Sequence, residues 1–163
     1  MSEPAAEAFW RFSLARYAAP GVAAACLELQ DRQGADVNLL LLALWLAECG
    51  HRLDGEAGRH LAEVAGYWQK PIVAPLRSAR RHLKERLSGP QAEEIAEWCG
   101  KIAAAELAME RLEQRMLEQA VGSVGSGTPD PAAASGNLMA LGLGRLLASE
   151  AWGDLLATVG AGT

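Results

Sequence analysis

"LQDRQGADVNLLLLALWLA", residues 29–47, sets Gln30, Asp31, Asp36 and Asn38 directly before the most apolar run of the chain. Leu39, Leu40, Leu41, Leu42, Leu44, Trp45 and Leu46 surround the axis of a helix drawn through them, and a helix apolar on every side belongs in the middle of a bundle. Asp36 suits the N-cap of that helix, because a carboxylate there accepts hydrogen bonds from the orphan N–H groups of the first turn. Gly34 suits the left-handed residue that ends the preceding helix. Asn38 is tolerated at the second helical position. Asp31 sits in a last helical turn, facing the negative end of the helix dipole, so it calls for a cationic partner or a role. The stretch reads as helix, turn, helix, with Trp45 in the core.

The 163 residues are half apolar and about one fifth charged. Ala and Leu dominate, Glu and Arg are frequent, and β-branched residues are sparse, which favours helix over sheet. The periodicity predicts helix 1 over 4–18 with Pro4 in its first turn and Phe9, Phe12 and Leu14 as apolar contacts. Helix 2 is expected at 20–33, helix 3 at 36–48 and helix 4 at 55–69 after Asp54. Lys70-Pro71 interrupts the pattern, and Pro75 falls one turn into helix 5, which carries Ile72, Leu76, Ala79 and Leu83. Helix 6 opens after Ser88-Gly89-Pro90. Its Ile95, Trp98, Ile102, Ala105, Met109, Leu112 and Met116 form a heptad seam expected to pack within the bundle. The fold class is all-α: a single-domain bundle of about six helices over 1–120.

Composition changes at 121–136, "VGSVGSGTPDPAAASG", expected as a flexible linker. Residues 137–163 follow as an apolar C-terminal segment weakened by Gly142, Gly144 and Gly153. Leu138, Leu141, Leu143, Leu146, Trp152 and Leu155 are too much apolar surface to leave in water. The segment is therefore expected to dock as a helix over 137–159, on this chain or on a second copy.

A net charge of −5 disfavours a generally nucleic-acid-binding surface. "MSEPAAEAFW" lacks the basic and apolar regions of a leader, and the run from Leu39 to Ala47 is less than half the roughly 20 residues a membrane span needs. Cys26, Cys49 and Cys99 form no CxxC pair and read as reduced residues of a cytoplasmic protein. His51, His60 and His82 form no HExxH, so no metal site is expected. Phosphate-loop, nucleophile-elbow and dinucleotide motifs are lacking, and no cofactor is expected. Glu106 and Glu110 stand one turn apart, but no ExxH accompanies them as in di-iron bundles.

The strongest charge pattern is "PLRSARRHLKERL", where Arg77, Arg80, Arg81 and Lys84 share one helix face. Guanidinium groups at that spacing suit carboxylate or phosphate recognition. Glu106, Glu110 and Glu113 form a matching acidic stripe on the next helix, so internal ion pairing is the preferred reading.

"FWRFSLARYAAPGVAAACLELQDRQGADVNLLLLALWLA" resembles the N-terminal signature of an uncharacterised family of small proteobacterial proteins, known only as a domain of unknown function. Residues 68–84 and 106–110 are similar to its later blocks. The resemblance covers about residues 9–120 and implies an all-helical bacterial cytosolic protein with no assigned catalytic residues. The expected function is non-catalytic binding of another macromolecule, a protein or a second copy, with the tail as the partner-dependent part. The alternative is a small enzyme or anionic-ligand binder whose pocket joins Gln30, Asp31 and Asn38 to Arg77, Arg80 and Arg81, and these six with Lys84 are the candidate ligand- or partner-binding residues. Nucleic-acid contact through the basic stripe is the weakest option.

Overall fold

The computed structural model describes residues 7–161, and all of its regular structure is helical. The α-helices are α1 (Ala8–Tyr17), α2 (Val22–Gln33), α3 (Val37–Glu48), α4 (Gly55–Trp68), α5 (Ala74–Lys84), α6 (Ala92–Val121), α7 (Pro131–Ala140) and α8 (Glu150–Leu156). Pro4, placed in the first turn of helix 1 by its sequence, lies outside the described residues.

α3 occupies the centre. Every residue from Asn38 to Ala47 is buried, and α1, α2, α6 and α7 lie against it, with α7 covering the most. Phe9 of α1 stacks on Trp45 at 5.2 Å between ring centroids. The start of α1 is fastened to α6: Glu118 accepts from the Glu7 and Ala8 N–H groups at 3.1 Å, while the Glu7 carboxylate pairs with Arg111 and Arg115. A carboxylate at a helix N-terminus also complements the helix dipole.

α4 and α5 are joined without a break by a π-helical turn, Gln69–Val73. Pro71 and Pro75 each lack the N–H that an α-helix uses, and widening one turn relieves the clash of the ring with the preceding carbonyl. The interruption expected at Lys70-Pro71 is thus a bulge within one long helical rod.

The C-terminal segment packs on this chain. Leu138, Leu146, Trp152 and Leu155 are buried in the same core as α3. It is not one helix, as its apolar run had suggested. Gly142, at φ +77°, ends α7 in a Schellman motif: its N–H donates to Met139, and the Leu143 N–H donates to Leu138. A 3-10 turn (Gly144–Leu146) and α8 follow. Residues 131–136, expected within the linker, form the first part of α7. The Asp130 carboxylate caps it by accepting from Ala132 and Ala133, and Pro131 is suited to a first turn.

α7 approaches closely because small residues allow it. A Cβ on Gly58 would lie 2.2 Å from the Ala140 carbonyl oxygen, and one on Gly127 would lie 2.4 Å from that of Cys49. Asn137, fully buried, clamps the crossing: its amide N donates to the His51 carbonyl at 3.0 Å, and its oxygen accepts from the Leu53 N–H at 2.8 Å.

The seam of α6 is not its core face. Trp98 and Met116 are exposed, and Ile95, Ile102, Met109 and Leu112 are only half-buried. The buried residues of α6 are Glu106, Glu113, Gln114 and Leu117, a mostly polar set. The apolar period was real, but the long helix meets polar groups of α3 and α5 on its inner side.

Asn137→Ala should remove the partner of two half-buried backbone groups and lower stability by about 1–3 kcal/mol, read as a drop in Tm of about 2–10 °C. A chain ending at residue 130 uncovers the side of α3 that α7 now covers. It should lose cooperative melting in circular dichroism.

Candidate functional site

Two adjoining cavities open beside the α2–α3 turn. The first, about 430 Å³, lies between α1, α2, α5 and α6 over the start of α3. Trp10, Leu14 and Tyr17 reach it from α1, Leu27 and Gln30 from α2, Val37, Asn38 and Leu41 from α3, and Leu107 from α6. Arg77, Arg80, Arg81, Glu106 and Glu110 supply its charged wall. The second, about 510 Å³, lies between the α2–α3 turn, α4, the π turn and α5, and includes Asp31, Asp36, Gln69 and Lys70. Gln30, Arg77 and Arg81 line both.

Apolar side chains crowd the rim of the first cavity. Leu14 and Leu107 are each 53 % exposed, Leu27 43 % and Tyr17 37 %. Trp10, Leu14 and Tyr17 stand at i, i+4 and i+7, one stripe of α1 facing away from buried Phe9. Leu14, expected to supply an apolar contact of helix 1, lies on this rim.

The charged wall is almost wholly self-paired. Arg77 donates to Glu106 at 3.0 Å and to Glu110 at 2.8 Å, and Arg80 donates to both oxygens of Glu106. Glu106 is buried, and Arg77 nearly so, which makes this pairing unlike an exposed surface contact. Burial raises the Glu110 carboxyl above its usual range, with Arg77 pulling the other way. Arg81 pairs with Asp31 at 2.8 Å. The guanidinium beside Asp31 holds that carboxyl below its ordinary value and supplies the cation its place at a helix C-terminus requires. Lys84 is exposed, lines neither cavity and forms no ion pair among the described residues.

Behind the wall lies a buried polar cluster. Asp36 caps α3, accepting from the Asn38 N–H at 2.9 Å, and the Gln114 amide donates to the Asn38 side-chain oxygen at 2.8 Å. Glu113 is fully buried, and neither of its oxygens has a hydrogen-bond partner. It does not extend the acidic stripe toward α5 as its spacing suggested; it turns inward, toward Asp36. Burial, and then the charge of Asp36, push its carboxyl up to about 10. Burial raises Asp36 as well. The backbone N–H groups of Asn38 and Leu39 pull Asp36 the other way, whereas no backbone donor reaches Glu113.

The turn residues Gln30, Asp31 and Asn38 and the stripe residues Arg77, Arg80 and Arg81 thus come together at this one place, while Lys84 does not. The sequence did not single out Trp10, Tyr17, Leu27, Leu107 or Lys70. The i, i+4, i+7 stripe on α1 was the legible signal for two of them. Among the described residues no group of three or more metal-binding side chains converges, and no helix is long and apolar enough to cross a membrane.

Glu113 takes up a proton on folding between its ordinary value of 4.5 and about 10. A raised folded-state value gives stability that is complete below pH 4.5 and is lost as pH rises toward 10. The slope is at most about 1.4 kcal/mol per pH unit. Between pH 5 and pH 8 the wild type should therefore lose more Tm than Glu113→Gln, whose amide does not titrate. Equal slopes for the two proteins would show that Glu113 is ionised in the fold.

No curated protein and no solved structure matches the chain. A family model does, over residues 8–117, from the start of α1 to the last turns of α6, so α7 and α8 lie outside the matched region. Both cavities except Leu143 are built from matched residues. The chain belongs to the family DUF2390, described as a protein of unknown function.

Proposed function

We propose that this protein is a non-catalytic binder of a small molecule, and that the ligand lies in the cleft between α1, α2 and α6. One observation carries the reading: the α2–α3 turn and the α5 stripe face each other across concave, largely apolar space of ligand size. The polar residues there are paired with one another rather than arranged for catalysis. Ser13, the aliphatic hydroxyl of the first cavity, has no hydrogen-bond partner that could activate it as a nucleophile.

The C-terminal segment had favoured a macromolecular partner, because its apolar residues needed cover. They find that cover in the chain's own core, which weakens the argument. Protein association is the second reading. It rests on large side chains exposed outside the cleft, Tyr67, Trp98 and Met139, and a monomeric mass at high concentration would count against self-association. The free thiols of Cys26, Cys49 and Cys99 fit the reducing cytoplasm expected from the sequence.

Nile red, a neutral apolar dye, should bind one site and brighten. Leu27→Glu or Leu107→Glu should abolish the signal while leaving Tm nearly unchanged, since both residues are exposed. Undiminished dye binding in both variants would place the dye elsewhere and remove the cleft reading.

A further inference from the structure

Arg77, Arg80 and Arg81 share one helix face, but their charges differ in availability. Arg77 and Arg80 are held by Glu106, whose carboxylate is buried, so withdrawing either arginine would strand a charge away from water. Arg81 is different. Its pair with Asp31 is 46 % and 47 % exposed, and exposed pairs of this kind contribute little. If Asp31 let go, its carboxylate would remain solvated.

That bridge ties α2 to α5, and Arg81 lines the cavities on both sides of it. Lys70, carried by the π turn, lines the second cavity and forms no ion pair among the described residues. The second cavity therefore offers one replaceable guanidinium and one unpaired ammonium. The first offers the apolar wall of Trp10, Leu14, Tyr17, Leu27 and Leu107.

We infer that the two cavities are halves of one groove spanned by the Arg81–Asp31 bridge, and that its ligand is an amphipathic anion. Its apolar body lies between α1, α2 and α6, and its carboxylate or phosphate head replaces Asp31 on Arg81, beside Lys70. This rests on the cleft being a small-molecule site and adds the chemical class of the ligand. A guanidinium fork accepts such a head in two parallel hydrogen bonds, which an alcohol head does not reproduce.

Calorimetric titration of the full chain with submicellar decanoate, decan-1-ol and acetate tests it. Decanoate should bind about tenfold or more tighter than decan-1-ol, as a charge-assisted contact requires, and acetate should bind far more weakly than either. Arg81→Gln should bring decanoate down to the affinity of decan-1-ol without altering the latter. Asp31→Asn, which frees Arg81, should tighten decanoate alone. If decan-1-ol matches decanoate and neither variant separates them, the anionic head is wrong; loss of decan-1-ol binding in Leu107→Glu would then leave the cleft itself standing. If neither ten-carbon probe binds, both readings fall. If acetate matches decanoate, the apolar half of the groove plays no part and the amphipathic assignment is overturned.

Discussion

A helix with no polar face must be enclosed on every side, and α3 is such a helix. Leu40, Leu42, Leu44 and Leu46 have no exposed surface at all. Burying a side chain of this kind is worth about 1.5–3 kcal/mol, so leaving even one side of α3 open forfeits a large share of an ordinary domain's stability. The arrangement of the other helices follows from supplying that cover. α1, α2, α4 and α6 close part of the circumference, and α7 closes the largest share of it. The C-terminal segment is thus a wall of the core rather than an appendage to it.

Complete enclosure creates a polar problem at both ends of α3, where backbone groups and flanking side chains are carried inside with the leucines. At the C-terminal end the solution is backbone-directed. The Asp130 N–H donates to Ala47, and Asn137 joins His51 and Leu53 to α7. At the N-terminal end it is built from side chains. Asp36 and Asn38 meet Gln114 and Glu113, and the ion pairs of Arg77 and Arg80 with Glu106 and Glu110 lie around them. That second solution explains why α6 presents acids and an amide inward, and why its apolar seam is left half outside.

The cleft is a by-product of the same geometry. α6 meets the stripe of α1 at Trp10, whose ring Arg111 covers at 5.7 Å, and the stripe is left open further along, at Leu14 and Tyr17. Trp10, Leu14 and Tyr17 then border open space, next to a charged wall whose members are mostly already paired. The one loosely held pair, Arg81 with Asp31, sits at the boundary between the cavities.

The all-α class, the central place of α3, its Asp36 cap and the Gly34 stop were readable in residues 29–47, because capping and all-round apolarity are local properties of a few consecutive residues. The need of Asp31 for a cation was readable for the same reason. Helix 7 was half readable: Asp130-Pro131 is a helix start, but the surrounding Gly, Ser and Ala resemble a linker until Gly58 and Gly127 are seen to admit a close crossing. Which way α6 turns was decided by the tertiary structure alone. Its apolar period and its buried polar face coexist on one helix, and only the neighbours on each side determine which is sheltered. The cleft was settled at that level too, since it is bounded by residues from five helices and no segment of the chain contains enough of it to show that a cavity is there.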